Sequence, residues 1–362
     1  MKSSLYRAKP IRLALLAIFT FLCVASVRSE VGFFPTGVIE MLPTSMSDDG
    51  SIVVGTGFYQ VPNLYYTEAA GALVIGDGCF NGLPSISGDG TTVVGCHVDA
   101  QGNENAAKWL GGTSWQDLGS EAGAVPCGTS LSGPWGVNQD GSLAVGLLWR
   151  AQVCKANAGY WDLINGGPAI VLPTLFTGPA TRANAINADG SVIVGWQDQP
   201  TGERSAAKWV NGTPELILTP SGGLNGEAQA VSADGNIIVG GNYNFGTNAW
   251  IWRPETGVLP LGGGAATSAP AVPASFVALD VSDNGQYVVG FVGRSGTSKA
   301  VIWKNGFKRS ILLEDFLRQR GVTVPDGWHL SVANVISANG QTIYGWGFNP
   351  DHLVEMYKVT LN

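Results

Sequence analysis

The sequence predicts an all-β fold: a seven-bladed β-propeller of four-stranded antiparallel blades, closed by pairing of its N- and C-terminal strands. Three observations predict it. A nine-residue motif recurs seven times without an internal gap, 51 glycines punctuate a chain with few long apolar runs, and the two ends look like complementary parts of one unit. The copies are SDDGSIVVG from Ser47, SGDGTTVVG from Ser87, NQDGSLAVG from Asn138, NADGSVIVG from Asn187, SADGNIIVG from Ser232, SDNGQYVVG from Ser282 and SANGQTIYG from Ser337. Their starts lie 40, 51, 49, 45, 50 and 55 residues apart, the period of one supersecondary module with variable loops.

Each element of the module follows from local chemistry. An apolar residue (Met46, Ile86, Val137, Ile186, Val231, Val281, Ile336) ends a first strand, and Asp-Gly or Asn-Gly follows. Those dipeptides suit the two positive-φ positions of a type I′ hairpin turn. The next strand, as in Ser191 to Val194, carries apolar side chains on successive residues, so both of its faces must be covered. A closing glycine (Gly55, Gly95, Gly146, Gly195, Gly240, Gly290, Gly345) marks a point where a side chain would collide or a positive φ is needed. Ala-x-x-Trp then defines a third strand at Ala106, Ala158, Ala206, Ala249 and Ala300, and short segments such as 116–118 and 215–218 supply a fourth. A parallel β-helix is disfavoured, because its coils are shorter.

The last unit stops after a third strand at 356–359, while 36–42 resembles a fourth strand lacking its predecessors. Joining them would leave no open edge. One segment departs from the β pattern: Leu312, Leu313, Phe316 and Leu317 fall at helical spacing within 311–320, with Gly321 as a C-cap, which predicts a helix packed on one rim.

Residues 1–29 predict a signal peptide, with Lys2, Arg7, Lys9 and Arg12 ahead of an apolar stretch from Leu13 to Ala25. Cleavage is expected before Glu30 or a few residues earlier, leaving a single propeller domain over 30–362. The residues before Cys23 lack the small side chains usual ahead of a lipid-modified cysteine. No later stretch is apolar and long enough to span a bilayer. An exported protein in the periplasm, at the cell surface or outside the cell is therefore expected.

Four cysteines then remain, and in an exported chain disulfides are the default. Cys79 and Cys96 flank one motif copy, and Cys127 and Cys154 flank the next. If those copies are hairpins their flanks lie side by side, which favours Cys79–Cys96 and Cys127–Cys154. Metal binding is the rival, with His97 near, but no CxxC spacing exists.

Composition excludes several functions. With 45% hydrophobic and 13% charged residues the chain must fold around a large core. Twenty basic against 27 acidic residues give no electrostatic footing for nucleic acid.

The repeat of Ser or Asn, any residue, Asp or Asn, and Gly, followed by an apolar strand and Ala-x-x-Trp, resembles the HAF family of bacterial extracellular repeat proteins. The ending resembles that family's closing repeat through Leu317, Gly321, Gly327, Trp328, His329, Leu330, Ala333, Ile336, Ser337, Gly340, Gly345, Asn349 and Pro350. It departs at Asp351, His352 and Leu353, where a Gly-containing turn is usual, and at Met356 in place of Ala. The resemblance spans Phe33 to Leu361. It implies an exported or surface-exposed propeller-like protein, and it brings no established activity and no catalytic residues.

The Asp-Gly turns invite a calcium assignment, yet most copies offer one carboxylate whose turn role explains it. Neither a metal nor a cofactor is expected. His97, His329 and His352 lie in different units without a nucleophile elbow or an HExxH pair, so no catalytic residue is assigned. The loops after the closing glycines carry Phe58 and Tyr59, His97, Trp149, Trp196, Tyr243 and Phe245, Phe291, and Trp346 and Phe348. Of these, Tyr59, Trp149, Trp196, Tyr243, Phe291 and Trp346 are the candidate ligand-binding residues, since rings on a rim suit sugars or extended peptides. The plainer alternative is that they pack between blades. The function expected is a monomeric, non-catalytic scaffold for a glycan, cell-envelope component or protein partner. The alternative is a secreted carbohydrate-active enzyme with acidic residues at the pore, and converging carboxylates would favour it.

Overall fold

The structure, a computed structural model, describes residues 31–58, 62–150, 154–242, 247–262, 276–293, 297–304 and 309–361. Seven four-stranded antiparallel sheets form the blades of a propeller. Blades 1 to 6 take their strands in sequence order, over 41–76, 85–119, 132–171, 181–216, 227–260 and 276–312. Blade 7 combines His329–Ile336, Thr342–Phe348 and Val354–Thr360 with Gly32–Ile39 as its outermost strand. The first strand of every blade faces a common central cavity.

Ring closure follows the expected pairing, with one correction. The stretch 36–42 is not one strand. Gly32–Ile39 pairs with Val354–Thr360, and Met41–Met46 is already the innermost strand of blade 1. Glu40 breaks the two apart with φ 60°, and its N–H donates to the Val354 carbonyl at 2.8 Å. A chain leaving the outer edge of one blade for the centre of the next must turn within this stretch.

The repeated turn is also not type I′. Only its glycine has positive φ, 74° at Gly50, whereas Asp49 does not. Gly50 N–H donates to the Ser47 carbonyl at 2.8 Å, and Ser47 N–H donates to Ile52 O at 3.0 Å, so four residues form the connection. The aspartate is an acceptor. Asp49 Oδ1 takes bonds from the Ser51 N–H at 2.9 Å, Ser51 Oγ at 2.7 Å and Ser47 Oγ at 2.7 Å. Ser47 Oγ accepts from the Ile52 N–H, as Asn138 Oδ1 does from Leu143, which explains why the motif opens on Ser or Asn.

The closing glycines answer a steric demand. A Cβ at Gly290 would stand 1.9 Å from Val277 O, and one at Gly195 would stand 2.0 Å from Arg182 O. In both places the first strand bulges toward the glycine, with register shifts at Ala278/Asp280 and Ala183/Ala185.

The repeated tryptophans anchor blade to blade. Trp161, Trp209 and Trp303 donate their indole N–H to Gly119, Pro173 and Gly262 carbonyls, each at the exit of the preceding blade. Apolar clusters bridge neighbours, as where Val145 and Ala158 of blade 3 meet Ala183, Ile193 and Trp209 of blade 4. Each such large side chain contributes roughly 1.5–3 kcal/mol of burial.

The helix is shorter than the pattern suggests. Ser310–Leu312 completes blade 6 as its outer strand, and only Leu313–Arg318 is helical. Leu313, Phe316 and Leu317 pack into the core between blades 6 and 7, and Gly321 ends the turn with φ 77°. Both expected disulfides are present, Cys79–Cys96 and Cys127–Cys154, with Cα separations of 5.4 and 5.3 Å. Among the described residues no helix is long and apolar enough to cross a membrane.

Candidate functional site

The bulges build the inside of the ring. A β-bulge leaves one residue without a partner and re-aims its side chain. Six blades bulge in the innermost strand three residues before the motif, at Thr44, Trp135, Asn184, Gln229, Leu279 and Asn334. All six line the central cavity, whose volume is about 220 Å³. Closing glycines admit the bulges and so aim residues that do not repeat into the cavity. Repetition thus produces a socket whose lining is unique in each blade.

The turn-side end of the cavity is drawn together by a belt of hydrogen bonds. Asp48 N–H donates to Gly88 O, Ala188 N–H to Ala233 O, Asp283 N–H to Ala338 O, and Ala338 N–H to Asp48 O. Between blades 5 and 6 the acceptor is a side chain: Ala233 N–H donates to Asp283 Oδ1 at 2.9 Å. Asp48 reaches over Gly88, where a Cβ would lie 2.5 Å from its Oδ1, and its Oδ2 accepts from Gln139 Nε2 of blade 3 at 2.9 Å. Asp280, next to the bulge of blade 6, accepts the Val281 and Ile336 N–H groups, each at 2.8 Å.

Asp48, Asp280 and Asp283 therefore share one cavity. Burial, reinforced by mutual repulsion, holds Asp48 above the usual carboxylate range, and burial does the same for Asp283. Asp280 lines the cavity and is partly exposed to it, and burial pushes it up to about 7. No Lys, Arg or His stands among the described residues that line the cavity. Nor do the described residues gather three or more His, Cys, Asp or Glu side chains in a metal-binding group.

The connections after the second strands lie at the other end of the blades. The structure does not bring their rings together as one circle. Tyr59 and Tyr243 lie outside the described residues. Trp196 is buried, with the Arg204 guanidinium 3.4 Å over its ring. Trp149 is half-buried and donates to Asn81 Oδ1 at 3.2 Å, and Phe291 is half-buried in the strand Tyr287–Val292. His97 Nδ1 pairs with Asp117 Oδ1 at 3.0 Å, the carboxylate accepting, and the ring stacks on Trp115. Trp346 is different. It meets Phe58 edge-on at 6.0 Å and Phe348 at 6.0 Å, and Phe348 stacks on His329 at 6.4 Å, giving four rings in series across blades 7 and 1.

Across the same face, blades 3 to 5 carry a charged ladder. Arg182 lies 3.7 Å over Trp135, and Arg182 and Arg204 both donate to Glu227, at 3.1 and 2.7 Å. Arg204 also holds Asp198 at 2.9 Å, so two cations and two anions balance. Burial pushes Arg182 down to about 10. This ladder fixes the Trp135 ring in place.

Sequence reasoning did not single out the bulge residues or the three pore aspartates. Their signal was position. Counted from the motif's Ser or Asn, the third residue before it (the bulge residues) and the first after it (Asp48, Asp283) vary in chemistry, and Asp280, second before it, stands where the other copies carry Ser, Gly, Ala or Val.

No family model matches the chain, and no curated protein matches it. Solved structures do. An oligogalacturonate lyase from Vibrio parahaemolyticus aligns over 93% of this chain and 95% of its own, with a TM-score of 0.56 and 13% identity. The β-propeller domain of the Trilobed protease from Pyrococcus furiosus, described as having an open velcro topology, aligns over 89% of this chain and 95% of its own, with a TM-score of 0.52 and 12% identity. A TolB from Acinetobacter baumannii aligns over 75% of this chain, which spans 62% of that protein, with a TM-score of 0.45 and 14% identity. At these identities the first two show a shared fold alone.

Proposed function

We propose that the chain is an exported, non-catalytic propeller scaffold that binds a ligand through the loops of the face opposite the Asp-Gly turns, with a glycan as the best fit. The observation that carries this is the series Phe58, Trp346, Phe348 and His329. Linked rings offer a large rigid contact area at small entropic cost, and sugar rings present apolar faces to them. Export is supported by the signal-like residues 1–29 and by two disulfides, which persist in oxidising compartments. The resemblance to the HAF repeat proteins points the same way. A screen of the mature chain against glycans and isolated cell envelopes tests the proposal. Replacing Trp346 and Phe348 by Ala should abolish the binding found while melting stays within a few degrees. Binding that survives the double substitution refutes the assignment.

A secreted carbohydrate-active hydrolase or lyase is the second reading, and one observation favours it: Asp48, Asp280 and Asp283 converge in the cavity. A carboxyl group held near neutrality suits general acid–base work. Incubation with a panel of polysaccharides tests it, with product loss in Asp280→Asn as the supporting result. No product from any member of the panel rejects it.

A further inference from the structure

We propose that Cys127–Cys154 is a thiol–disulfide exchange site, opened by a dithiol, and that its state sets how firmly two tryptophans, Trp135 and Trp149, are held. The proposal goes beyond the glycan reading and does not depend on it. Its first support is a contrast between the two disulfides. Cys79 and Cys96 are buried, at 3% and 0% exposure, whereas Cys154 is exposed and Cys127 half-buried. Exchange begins with a thiolate reaching a sulfur, so access separates a structural bridge from a labile one. The second support is the backbone at Cys154, which has φ 44°. Among the described residues only three other non-glycines have positive φ: Glu40 at the ring-closing turn, Asn211 and His352. Asn and His enter this region more readily than other side chains, and a cysteine stays there only where its surroundings enforce it.

What the bridge holds gives the exchange a consequence. Cys127 N–H donates to Ser130 O at 2.8 Å, and Ser130 N–H returns a bond to Cys127 O at 3.1 Å. The strap 127–131 then lies along blade 2, where Glu104 N–H donates to Thr129 O at 2.7 Å and Leu131 N–H donates to Glu104 O at 3.0 Å. Ser130 Oγ donates to Glu104 Oε2 at 3.2 Å, and the same oxygen accepts from Asn81 Nδ2. Asn81 is buried and holds both rings: its Oδ1 accepts the Trp149 indole N–H at 3.2 Å, and its backbone carbonyl accepts that of Trp135 at 3.0 Å. Trp135 lines the central cavity, so a run of hydrogen bonds joins the exposed bridge to a ring at the cavity wall. In the exchange a thiolate of the dithiol attacks Cys154 Sγ, the S–S bond breaks, and Cys127 leaves as a thiolate. The second thiol displaces Cys154 from the mixed disulfide. Two electrons pass from the dithiol to the protein, the dithiol becomes a cyclic disulfide, and its two protons end on Cys127 and Cys154. The strap then keeps only its hydrogen bonds, and its hold on Glu104, Asn81 and the two rings weakens.

Stepwise reduction of the mature chain with dithiothreitol, trapping with N-ethylmaleimide and peptide mass spectrometry test the site. Cys127 and Cys154 should be labelled at least about tenfold faster than Cys79 and Cys96, because access limits exchange. Joint reduction of both bridges, or earlier reduction of Cys79–Cys96, overturns it. Hydrogen exchange and acrylamide quenching of tryptophan emission test the consequence. In the selectively reduced chain the Ser130 and Leu131 amides should exchange faster and the emission should quench more readily, both reverting when oxidised glutathione restores the bridge. The gain in quenching should shrink in Trp149→Phe. Unchanged amide protection, or an equal gain without the Trp149 indole, overturns the link to the rings. The double variant Cys127→Ser, Cys154→Ser should show the reduced-state behaviour without reductant, and a folded variant that matches the oxidised chain counts against the proposal. If that variant does not fold, selective reduction of the unmodified chain decides.

Discussion

Asp48 and Asp49 are adjacent in the chain and opposite in character. Asp49 belongs to the repeat: it points back into its own turn, and the hydrogen bonds from Ser51 and Ser47 hold its carboxyl below the usual range. Asp89, Asp140, Asp189 and Asp234 do likewise in their blades. Asp48 stands at a motif position that only blade 6 also fills with an acid, Asp283; it points across the cavity toward blade 3 and is pushed up by burial and by Asp283. Five turn aspartates organise strands, and three cavity aspartates strain against their surroundings. A single chemical group is thus held low or high according to whether the donors of its own turn or burial in the cavity dominate its surroundings.

The strongest way to disturb the cavity side of this contrast is to remove the bulge beside Asp280. Gly290→Ala would place a Cβ 1.9 Å from Val277 O, forcing the inner strand of blade 6 away and displacing Asp280. The loss should exceed about 4 kcal/mol, within the range of severe steric insertions. Denaturant melts followed by tryptophan fluorescence would measure it.

A pH titration of stability sharpens the contrast. Asp280, at about 7 in the fold, binds a proton there that the unfolded chain releases above the ordinary 3.8. Its contribution to stability is therefore full below about 3.8 and declines as pH rises from there through about 7, levelling off above. Asp48 and Asp283 act in the same direction. The turn aspartates act oppositely, their contribution fading only as pH falls below the ordinary range toward their depressed values. The melting temperature should therefore rise as pH is lowered from 8 to 5, and this slope should shrink in Asp280→Asn. An unchanged slope would show that Asp280 is ionised throughout.

The smallest effect belongs to a single turn. Asp234→Ala removes the acceptor for the buried Ser232 Oγ and for the exposed Asn236 N–H and Asn236 Nδ2. About 1 kcal/mol of lost stability is expected. A change in the pH slope of this variant would mean that turn and cavity are coupled.

Much of the architecture was legible because repetition encodes it. Period, strand order, ring closure and disulfide pairing follow from residues that act on near neighbours: Asp-Gly with its flanking strands, and cysteines on either side of one hairpin. The errors were errors of local geometry. Asp-Gly is compatible with more than one turn, and only the hydrogen bonds of Ser47 show that the connection holds four residues. Leu312 fits a helix by spacing, yet the vacant edge of blade 6 takes Ser310–Leu312 as a strand. Among the rings, Trp196 and Trp346 occupy equivalent places in their units; a pair of arginines covers the first, and aromatic neighbours extend the second.

By itself, then, the sequence determined the number of blades, the hairpins and the points where glycine is compulsory, because each depends on interactions within one module. Only the tertiary structure decided what the cavity contains. Thr44, Trp135, Asn184, Gln229, Leu279 and Asn334 stand 45 to 55 residues apart where the bulges are consecutive, and 91 where blade 2 intervenes without one. Closing the ring brings them, with Asp48, Asp280 and Asp283, to one place. Their chemistry is then set by mutual proximity and lost water, which no single module possesses.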